Sequence, residues 1–574
     1  MDSTYVPQGT TTRLTPADLD ASDESSRKNI EQKAFCEWPN EAGFDGLSEH
    51  RGPIELKLKG TIPTWAAGSL YRTGPGQSKV EDTKSGTFHI SHWFDGLAHT
   101  HKFDIVAETV ANEPVVRVKY SSRRQSDQLA AEIKATGTLR GITFAQKLDP
   151  CVGIFGKFMS VFRKPYTPLN VSVTVQRNIP SSNLKTPTKA TADTQGHRAP
   201  ALVLGTDNSM ICQIDSETME PIGFPNQTTF HPDLKGGLSG AHAQFDPETG
   251  DYFNYNLVLG KDAVYRIFRV TAATGKTDIL AVIRAKGAWI HSFFMTQNYV
   301  VLCVPVSHYA LNGVKLLMEG NLRNGFNPFD PSETCRWYVV DRRNGKGLVA
   351  EFASPARFFF HTVNAFEDDK TGDLLCEVVD YPNRYVIDGF YYDVVFNRDG
   401  AADKFWDGQL QHLSFPRLSR YRLRKEDFVT GRGDASPAPQ LVMEIPSPHT
   451  GDLPTINPNY QCRKHRYAYF VISRIRSTFF DALAKVDTET AEVLQWEGPH
   501  GHTPGEAIFV PRPATDGEEE PSEDDGVLLS VVLDGANKMS YLLCLDAKTM
   551  TELGRAECEF AVAIGLHGCH LPAA

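Results

Sequence analysis

Four histidines lie in four separate, strand-like segments of this 574-residue chain, at His242, His291, His361 and His567. Their successive separations are 49, 70 and 206 residues, so no single helix or loop could gather them. Neutral imidazole is a common metal ligand, and four of them would occupy four of six octahedral positions around a divalent ion. The two remaining positions could take O2 and a water molecule or a substrate. The pattern therefore indicates metal-centred oxygen chemistry, provided that the fold brings the four segments together.

Three acidic residues are candidates for a supporting role around such a site. A ligand imidazole binds metal through one nitrogen and typically donates its other N–H to a carboxylate. Asp207, Asp452 and Glu506 each stand beside apolar, strand-like residues. Taken singly, such acids are more often turn caps or surface groups, and a buried histidine among the 18 in the chain is more often a hydrogen-bonded core residue.

A repeated turn motif predicts the fold. An apolar residue followed by a polar turn recurs at residues 214–219, 270–275, 340–345, 486–491 and 545–550. Asp and Thr side chains can cap such turns, and the flanking apolar alternation is typical of hairpins. Successive turns are 56, 70, 146 and 59 residues apart, and 146 is close to two units. Seven units would fill the chain, which predicts an all-β, seven-bladed β-propeller; two unrelated β-sandwiches are the alternative. In a propeller, inner strands from different blades meet at the axis, which would unite the histidines.

Composition narrows the functional classes. The formal net charge of −11 argues against nucleic acid as a partner, because phosphate binding needs a basic face. No stretch reaches the ~18 apolar residues that span a bilayer, and the first residues lack a hydrophobic signal core. The ten cysteines are scattered without a Cys-x-x-Cys pair, which favours a cytoplasmic location. Residues 1–35 are polar and predict a flexible tail, leaving 36–574 as one domain.

Several longer motifs resemble one family. Residues 68–76 and 94–103 resemble the N-terminal motifs of the carotenoid cleavage oxygenases, the family that includes the retinal-pigment-epithelium isomerohydrolase. The four histidine contexts, together with residues 364–368, 505–510 and 565–568, resemble that family's metal motifs. The similarity covers nearly everything after about residue 50. The fungal torulene and apocarotenoid oxygenases are the most similar branch.

The resemblance implies a seven-bladed propeller with a cap of loops and helices over an axial Fe(II). The iron would be held by the four histidines, with O2 as co-substrate and no catalytic residue beyond the metal centre. Asp207, Asp452 and Glu506 would orient His291, His361 and His567, respectively. The family more usually has glutamate at the first two of these acid positions. Aspartate is one methylene shorter, so the sequence leaves open whether Asp207 and Asp452 reach their histidines directly.

The sequence leaves two substrate classes open, and it also leaves open a role in binding without catalysis. Relatives that cleave stilbenes or phenylpropenes typically carry a lysine directly before the first acid, where it grips a phenolate. Thr206 occupies that position here and cannot pair with a phenolate, which favours cleavage of a carotenoid or apocarotenoid polyene. The alternatives are an aromatic-alkene dioxygenase that cleaves stilbenes or phenylpropenes, and a non-catalytic propeller that binds carotenoid.

Residues 149–162 resemble the family's membrane-touching segment. They are apolar at most positions and carry few charges, with Phe155, Phe158, Met159 and Phe162 as the residues expected to touch lipid. An exposed apolar patch of this kind would dip into a bilayer interface and collect a lipid-dissolved substrate. An ordinary buried segment is the competing interpretation. The overall expectation is a cytoplasmic protein with peripheral membrane contact.

Overall fold

The computed structural model describes residues 5–45, 47–147, 170–181, 184, 202–408, 411–431, 433–514 and 519–573. In this part of the chain the strands form seven antiparallel blades. This is the seven-bladed β-propeller that the sequence predicted. Blades are numbered around the axis and their strands are given from the axis outwards: blade 1 consists of His567–Pro572, Gly68–Pro75, Ala98–Val110 and Glu113–Arg124, and blade 2 of Thr174–Arg177, Leu202–Gly205, Cys212–Ile214 and Pro221–Gly223. Blade 3 consists of an inner strand in two pieces, Leu238–Ser239 and Gln244–Phe245, followed by Tyr252–Val258, Val264–Val270 and Thr277–Arg284. Blade 4 consists of Phe294–Met295, Tyr299–Val304, Thr334–Asp341 and Leu348–Pro355.

Blades 5 to 7 complete the ring. In the same direction, blade 5 consists of Phe358–Glu367, Leu374–Tyr381, Arg417–Leu423 and Gln440–Pro446. Blade 6 consists of Asp452–Thr455, Tyr467–Ile472, Ala482–Asp487 and Val493–Glu497. Blade 7 consists of an inner strand in two pieces, His502–Pro504 and Ile508–Pro511, followed by Gly526–Asp534, Met539–Asp546 and Glu552–Cys558. A separate hairpin is formed by Lys79–Thr83 and Gly86–His89.

The repeated turns join the two outermost strands of blades 2, 3, 4, 6 and 7. In blade 2 the Asp215 carboxylate accepts backbone N–H groups of Glu217 and Thr218 at 3.0 and 2.8 Å, which closes the turn. Asp546 binds the same two positions in blade 7 at 3.0 and 2.7 Å. The outermost hairpin of blade 5 is longer and runs from Leu423 to Gln440, which explains the double spacing of 146 residues. The motif therefore marks one hairpin per blade.

Blade 1 closes the ring by joining the two ends of the chain. Its innermost strand, His567–Pro572, pairs antiparallel with Gly68–Pro75, and Thr73 is opposite His567 in the register. The strand Ile54–Gly60 pairs with Glu552–Cys558 of blade 7 and with Glu113–Arg124 of blade 1. Strands more than 400 residues apart therefore hold each other, and the closure carries His567 to the axis.

Helices are inserted between strands and form the cap. One insertion with two short α-helices separates the second and third strands of blade 4, and another separates those of blade 5; a further helix follows the outermost strand of blade 1. The α-helices of the described residues are Leu19–Glu31, Asp127–Thr136, Val314–Glu319, Leu322–Gly325, Tyr392–Val395 and Ala401–Trp406. The Asp95 carboxylate accepts the backbone N–H groups of Phe144 and Ala145 at 2.6 and 2.8 Å, which ties the loop after Asp127–Thr136 to blade 1.

The N-terminal segment differs from the flexible tail expected for residues 1–35. Thr10–Leu14 pairs with Val493–Glu497 and so extends blade 6 by one outer strand. The backbone N–H groups of Gln8 and Gly9 both donate to the Glu552 carboxylate at 3.2 Å. An outer strand exposes most of its surface, so a polar sequence can form it, and composition alone does not reveal the pairing. The assignment of residues 36–574 to one domain stays a prediction.

Two further observations bear on the environment of the protein. Among the described residues, no helix is long and apolar enough to cross a membrane. Nine of the ten cysteines lie in the described part of the chain, and all nine are free thiols. The segment 149–162, with Phe155, Phe158, Met159 and Phe162, lies outside the described residues.

Candidate metal centre

Each of the seven blades contributes one residue to a site on the axis. His567 begins the innermost strand of blade 1, and His361 lies within that of blade 5. His242 occupies the gap between the two inner pieces of blade 3, and His291 lies three residues before the inner strand of blade 4. The ligand nitrogens of these four histidines all lie within 4.8 Å of one another. The structure thus brings together the four histidines that the sequence singled out.

The remaining three blades supply the three acids. Asp207 follows the second strand of blade 2, Asp452 begins the inner strand of blade 6, and Glu506 lies between the two inner pieces of blade 7. The Nδ1 atoms of His291, His361 and His567 contact Asp207, Asp452 and Glu506 at 2.8, 2.6 and 2.7 Å. Both aspartates therefore reach their histidines directly: Asp452 acts from the blade next to that of His361, and Asp207 acts from blade 2 on His291 of blade 4.

These hydrogen bonds fix which nitrogen of each ring carries the proton. An ionised carboxylate only accepts, so Nδ1 donates and Nε2 keeps its lone pair. The Nε2 atom of His567 lies 3.1 Å from that of His242 and 3.0 Å from that of His361. The Nε2 atoms of His361 and His567 both keep their lone pairs, so at this distance they repel each other unless a cation lies between them. The donor set therefore fits a divalent metal ion that accepts imidazole, such as iron, without any carboxylate ligand.

Burial keeps His242 and His567 in the protonation state that binds metal. It lowers the pKa of His242 and of His567 well below the ordinary histidine value, and the neighbouring histidines add to that effect. Both rings are therefore neutral at physiological pH, as a metal ligand must be. Burial also raises the pKa of Glu506 to about 7, while Arg72 acts in the opposite direction. A bound cation would favour the ionised form of this carboxylate.

Two of the acids are held by partners that sequence reasoning did not assign. The Tyr381 hydroxyl donates to Asp452 Oδ2 at 2.5 Å. Arg72 Nη1 and the Gly568 backbone N–H donate to Glu506 Oε2, both at 2.9 Å. Arg72 lies in the matched motif at residues 68–76, which was a usable signal, whereas nothing in the sequence around Tyr381 pointed to Asp452.

An aromatic wall covers one side of the histidine cluster. The Phe360 ring lies 6.3 Å from that of His291 and 6.2 Å from that of His361, and the Trp289 ring lies 5.5 Å from that of His291. Both side chains are buried. The wall continues through Phe94, Phe144, Phe358 and Phe390. Such a surface excludes water and suits an apolar, conjugated ligand.

A cavity adjoins the outer side of the same site. It reaches Asp452 and Tyr381 and is lined largely by aromatic side chains, among them Phe390, Phe405 and Phe479. Thr206, a neutral residue, directly precedes Asp207 in the sequence. The surroundings of the cluster are therefore apolar or neutral on these sides.

The propeller, the four-histidine centre and the aromatic wall together define a propeller oxygenase with an axial, all-imidazole metal site. A family model described as retinal pigment epithelial membrane protein matches residues 43–572. The chain belongs to that family, which confirms the resemblance to the carotenoid cleavage oxygenases.

Relatives of known name agree with this assignment. The chain is 47% identical to a carotenoid dioxygenase of Neurospora crassa, over 99% of this chain and 96% of the relative. It is 48% identical to a torulene dioxygenase of Gibberella fujikuroi, over 97% of each chain. A solved structure of a variant Synechocystis apocarotenoid oxygenase is 20% identical, with a TM-score of 0.69 over 93% of this chain and 98% of that one. At that identity the structural likeness supports the fold alone.

Proposed function

We propose that the protein is an Fe(II)-dependent dioxygenase that cleaves one C=C bond of a carotenoid or apocarotenoid, of the torulene type, to two aldehyde products. The observation that carries this proposal is the convergence of four histidines on the propeller axis. Full-length relatives at 47% and 48% identity are a carotenoid dioxygenase and a torulene dioxygenase, which supports the same chemistry.

His242, His291, His361 and His567 would hold the iron through Nε2. When bound, Fe(II) supplies the activation of O2. The protein's own part is to orient the rings: Asp207, Asp452 and Glu506 accept the Nδ1–H groups of His291, His361 and His567 and so hold the Nε2 lone pairs of these three rings towards the axis. Addition of both atoms of O2 across a C=C bond gives two C=O groups with no net proton transfer. This balance requires no general acid or base among the side chains.

The apolar surroundings support a polyene over a phenolic substrate. Phe360 and Trp289 stand between the cluster and the rest of the aromatic wall, where a conjugated chain could stack. Thr206 offers no positive charge to a phenolate. A substrate whose only polar groups lie at its ends would be held by shape and by these rings, which fix the register of the scissile bond.

Product masses from a substrate panel test the proposal. Iron-loaded protein incubated in air with torulene, a β-apocarotenal and resveratrol should convert a carotenoid or apocarotenoid to aldehydes at least about tenfold faster than resveratrol, because burying a phenolate beside neutral Thr206 carries an uncompensated desolvation cost. Faster cleavage of resveratrol would select the stilbene-cleaving alternative. Retention of intact carotenoid by iron-loaded protein without any product would select the silent binding role.

We also propose a cytoplasmic protein with peripheral membrane contact through residues 149–162. Support comes from apolar side chains in adjacent described segments: Ile142, Leu311, Val314 and Leu317 are 53%, 67%, 48% and 44% exposed. The Thr143 N–H donates to the Gly320 carbonyl at 2.9 Å, so these two segments lie side by side. Exposed apolar groups gathered in this way are typical of surfaces that contact lipid.

Charged replacements in this surface should slow turnover only when the substrate is presented in membranes. Phe155→Glu with Phe158→Glu, and separately Leu311→Glu with Leu317→Glu, should each lower the rate with apocarotenal in liposomes at least about fivefold, since a charge disfavours burial in the interface. Val282→Glu is the matched control, because Val282 is equally apolar and 56% exposed but lies on the outer strand of blade 3. Equal losses with detergent-dispersed substrate, or no loss in liposomes, would contradict the membrane proposal.

A further inference from the structure

The carboxylate behind His567 is paired with a fully buried guanidinium. Arg72 Nη1 lies 2.9 Å from Glu506 Oε2, and the two side chains are only 2% and 6% exposed. The same Nη1 also donates to the Glu506 backbone carbonyl at 3.1 Å, and Nη2 donates to the Gly565 carbonyl at 3.4 Å. Three acceptors thus hold the guanidinium in one orientation.

The backbone next to His567 makes room for this arginine. A Cβ at Gly568 would lie 2.6 Å from Arg72 Cδ and 2.4 Å from the Tyr71 carbonyl oxygen. A side chain at position 568 would therefore push Arg72 away from Glu506. The Gly568 N–H donates to the same carboxylate oxygen as Arg72, so the glycine contributes to the pairing directly.

The other two acids of the site have no such partner among the residues that the structure describes. Asp207 and Asp452 form ion pairs only with His291 and His361, and neither has a lysine or arginine within 4.0 Å. The outer partner of Asp452 is the neutral Tyr381 hydroxyl. The three histidine–acid pairs therefore differ in charge, because among the described residues only Glu506 is paired with a cationic side chain.

This difference balances the charge of the whole buried centre. The two charges of a ferrous ion and the one charge of Arg72 together equal the three negative charges of Asp207, Asp452 and Glu506. Because net charge is costly to bury, a site without Arg72 would carry one uncompensated negative charge in a medium of low dielectric constant. An excess negative charge stabilises ferric iron relative to ferrous iron in their one-electron couple.

We propose that Arg72 is a positioning residue that holds Glu506 against His567 and, through its charge, keeps the bound iron in the ferrous form. This inference rests on the proposed function, since it requires that the four histidines hold iron. Arg72 acts through Glu506 and does not contact the histidine ligand nitrogens.

A double-mutant cycle separates charge from shape. The variants are Arg72→Met, Glu506→Gln, the pair together, Arg72→Lys, and Tyr381→Phe as a matched control that removes an outer hydrogen bond without changing charge. Each is loaded with iron, and the ferric-to-ferrous ratio is measured by spectroelectrochemistry at one applied potential. Metal content by elemental analysis and the thermal unfolding midpoint are recorded for every variant.

We expect the ferric-to-ferrous ratio to follow the net charge of the side chains around the iron. Arg72→Met should raise the ferric-to-ferrous ratio on the order of tenfold, Glu506→Gln should lower it by a similar factor, and the double variant should return close to the parent, because one nearby charge acts strongly at an effective dielectric of about 20. Arg72→Lys and Tyr381→Phe should stay within about threefold of the parent.

Other results would overturn it. Equal ratios in all iron-loaded variants, or a double variant shifted as far as Arg72→Met, would show that Arg72 has no such charge role. If Arg72→Met does not fold, the opposite shift in Glu506→Gln and the unchanged Arg72→Lys still decide the question. A parent protein that binds no iron would refute the proposed function itself. That result differs from one in which all variants bind iron but their ferric-to-ferrous ratios do not follow charge.

Discussion

Replacing His361 with alanine should abolish turnover and remove most of the bound iron. The change deletes one of four converging nitrogens and also removes the imidazole Nδ1–H group that donates to the Asp452 carboxylate at 2.6 Å. Loss of an outer partner alone typically costs ~10–100-fold in affinity or activity, so loss of a ligand should exceed that range. The same outcome is expected at His242, His291 and His567. Iron content after dialysis and the rate with an apocarotenal measure the effect.

A histidine outside the cluster provides the control. His89 is exposed and lies in the separate hairpin, so His89→Ala should keep one iron per chain and the parent rate. Stoichiometric zinc in the parent protein, or full activity in His361→Ala, would contradict the assignment of an iron centre to these four residues.

The propeller could be predicted because its repeat lies in local turn chemistry. Asp215 and Asp546 occupy the same position in two different blades and bind the same backbone groups. Blade 1 does not contain that motif, since its outermost hairpin turns at Ala111 and Asn112 without a capping aspartate. Its inner strand comes from the far end of the chain, and only the closed ring reveals that pairing.

The residue types of the site could be predicted from the sequence, but whether the acids contact the histidines directly could not. Whether a short aspartate contacts an imidazole depends on how closely different blades approach one another at the axis, which no local pattern encodes. In the structure Asp452 begins an inner strand and lies opposite Val471, and this register delivers its carboxylate to His361. Arg72 and Tyr381 contact the acids across blade boundaries and were missed for the same reason.

That dependence on blade spacing predicts a large effect at Gly451, the residue before Asp452. A Cβ at this position would lie 1.9 Å from the Val471 carbonyl oxygen and 2.7 Å from its carbonyl carbon. These are backbone atoms of the next strand of blade 6, so they cannot yield without moving the strand. Gly451→Ala should therefore destabilise the protein by about 3 kcal/mol, at the upper end of the range for overpacking, and displace Asp452 from His361. The urea midpoint and the iron content measure both consequences.

Gly237→Ala is the matched control, since a Cβ there meets nothing within 4 Å and the residue is not in the left-handed region. Its free energy of unfolding should stay within about 0.5 kcal/mol of the parent, with full iron content, as for other open surface positions. If Gly451→Ala kept its iron and its midpoint, the inner strand of blade 6 would have room to shift, and the close approach to Val471 would not be what holds Asp452 against His361. Iron loss at an unchanged midpoint would instead confine the effect to the site, with Asp452 displaced while the blade stays packed.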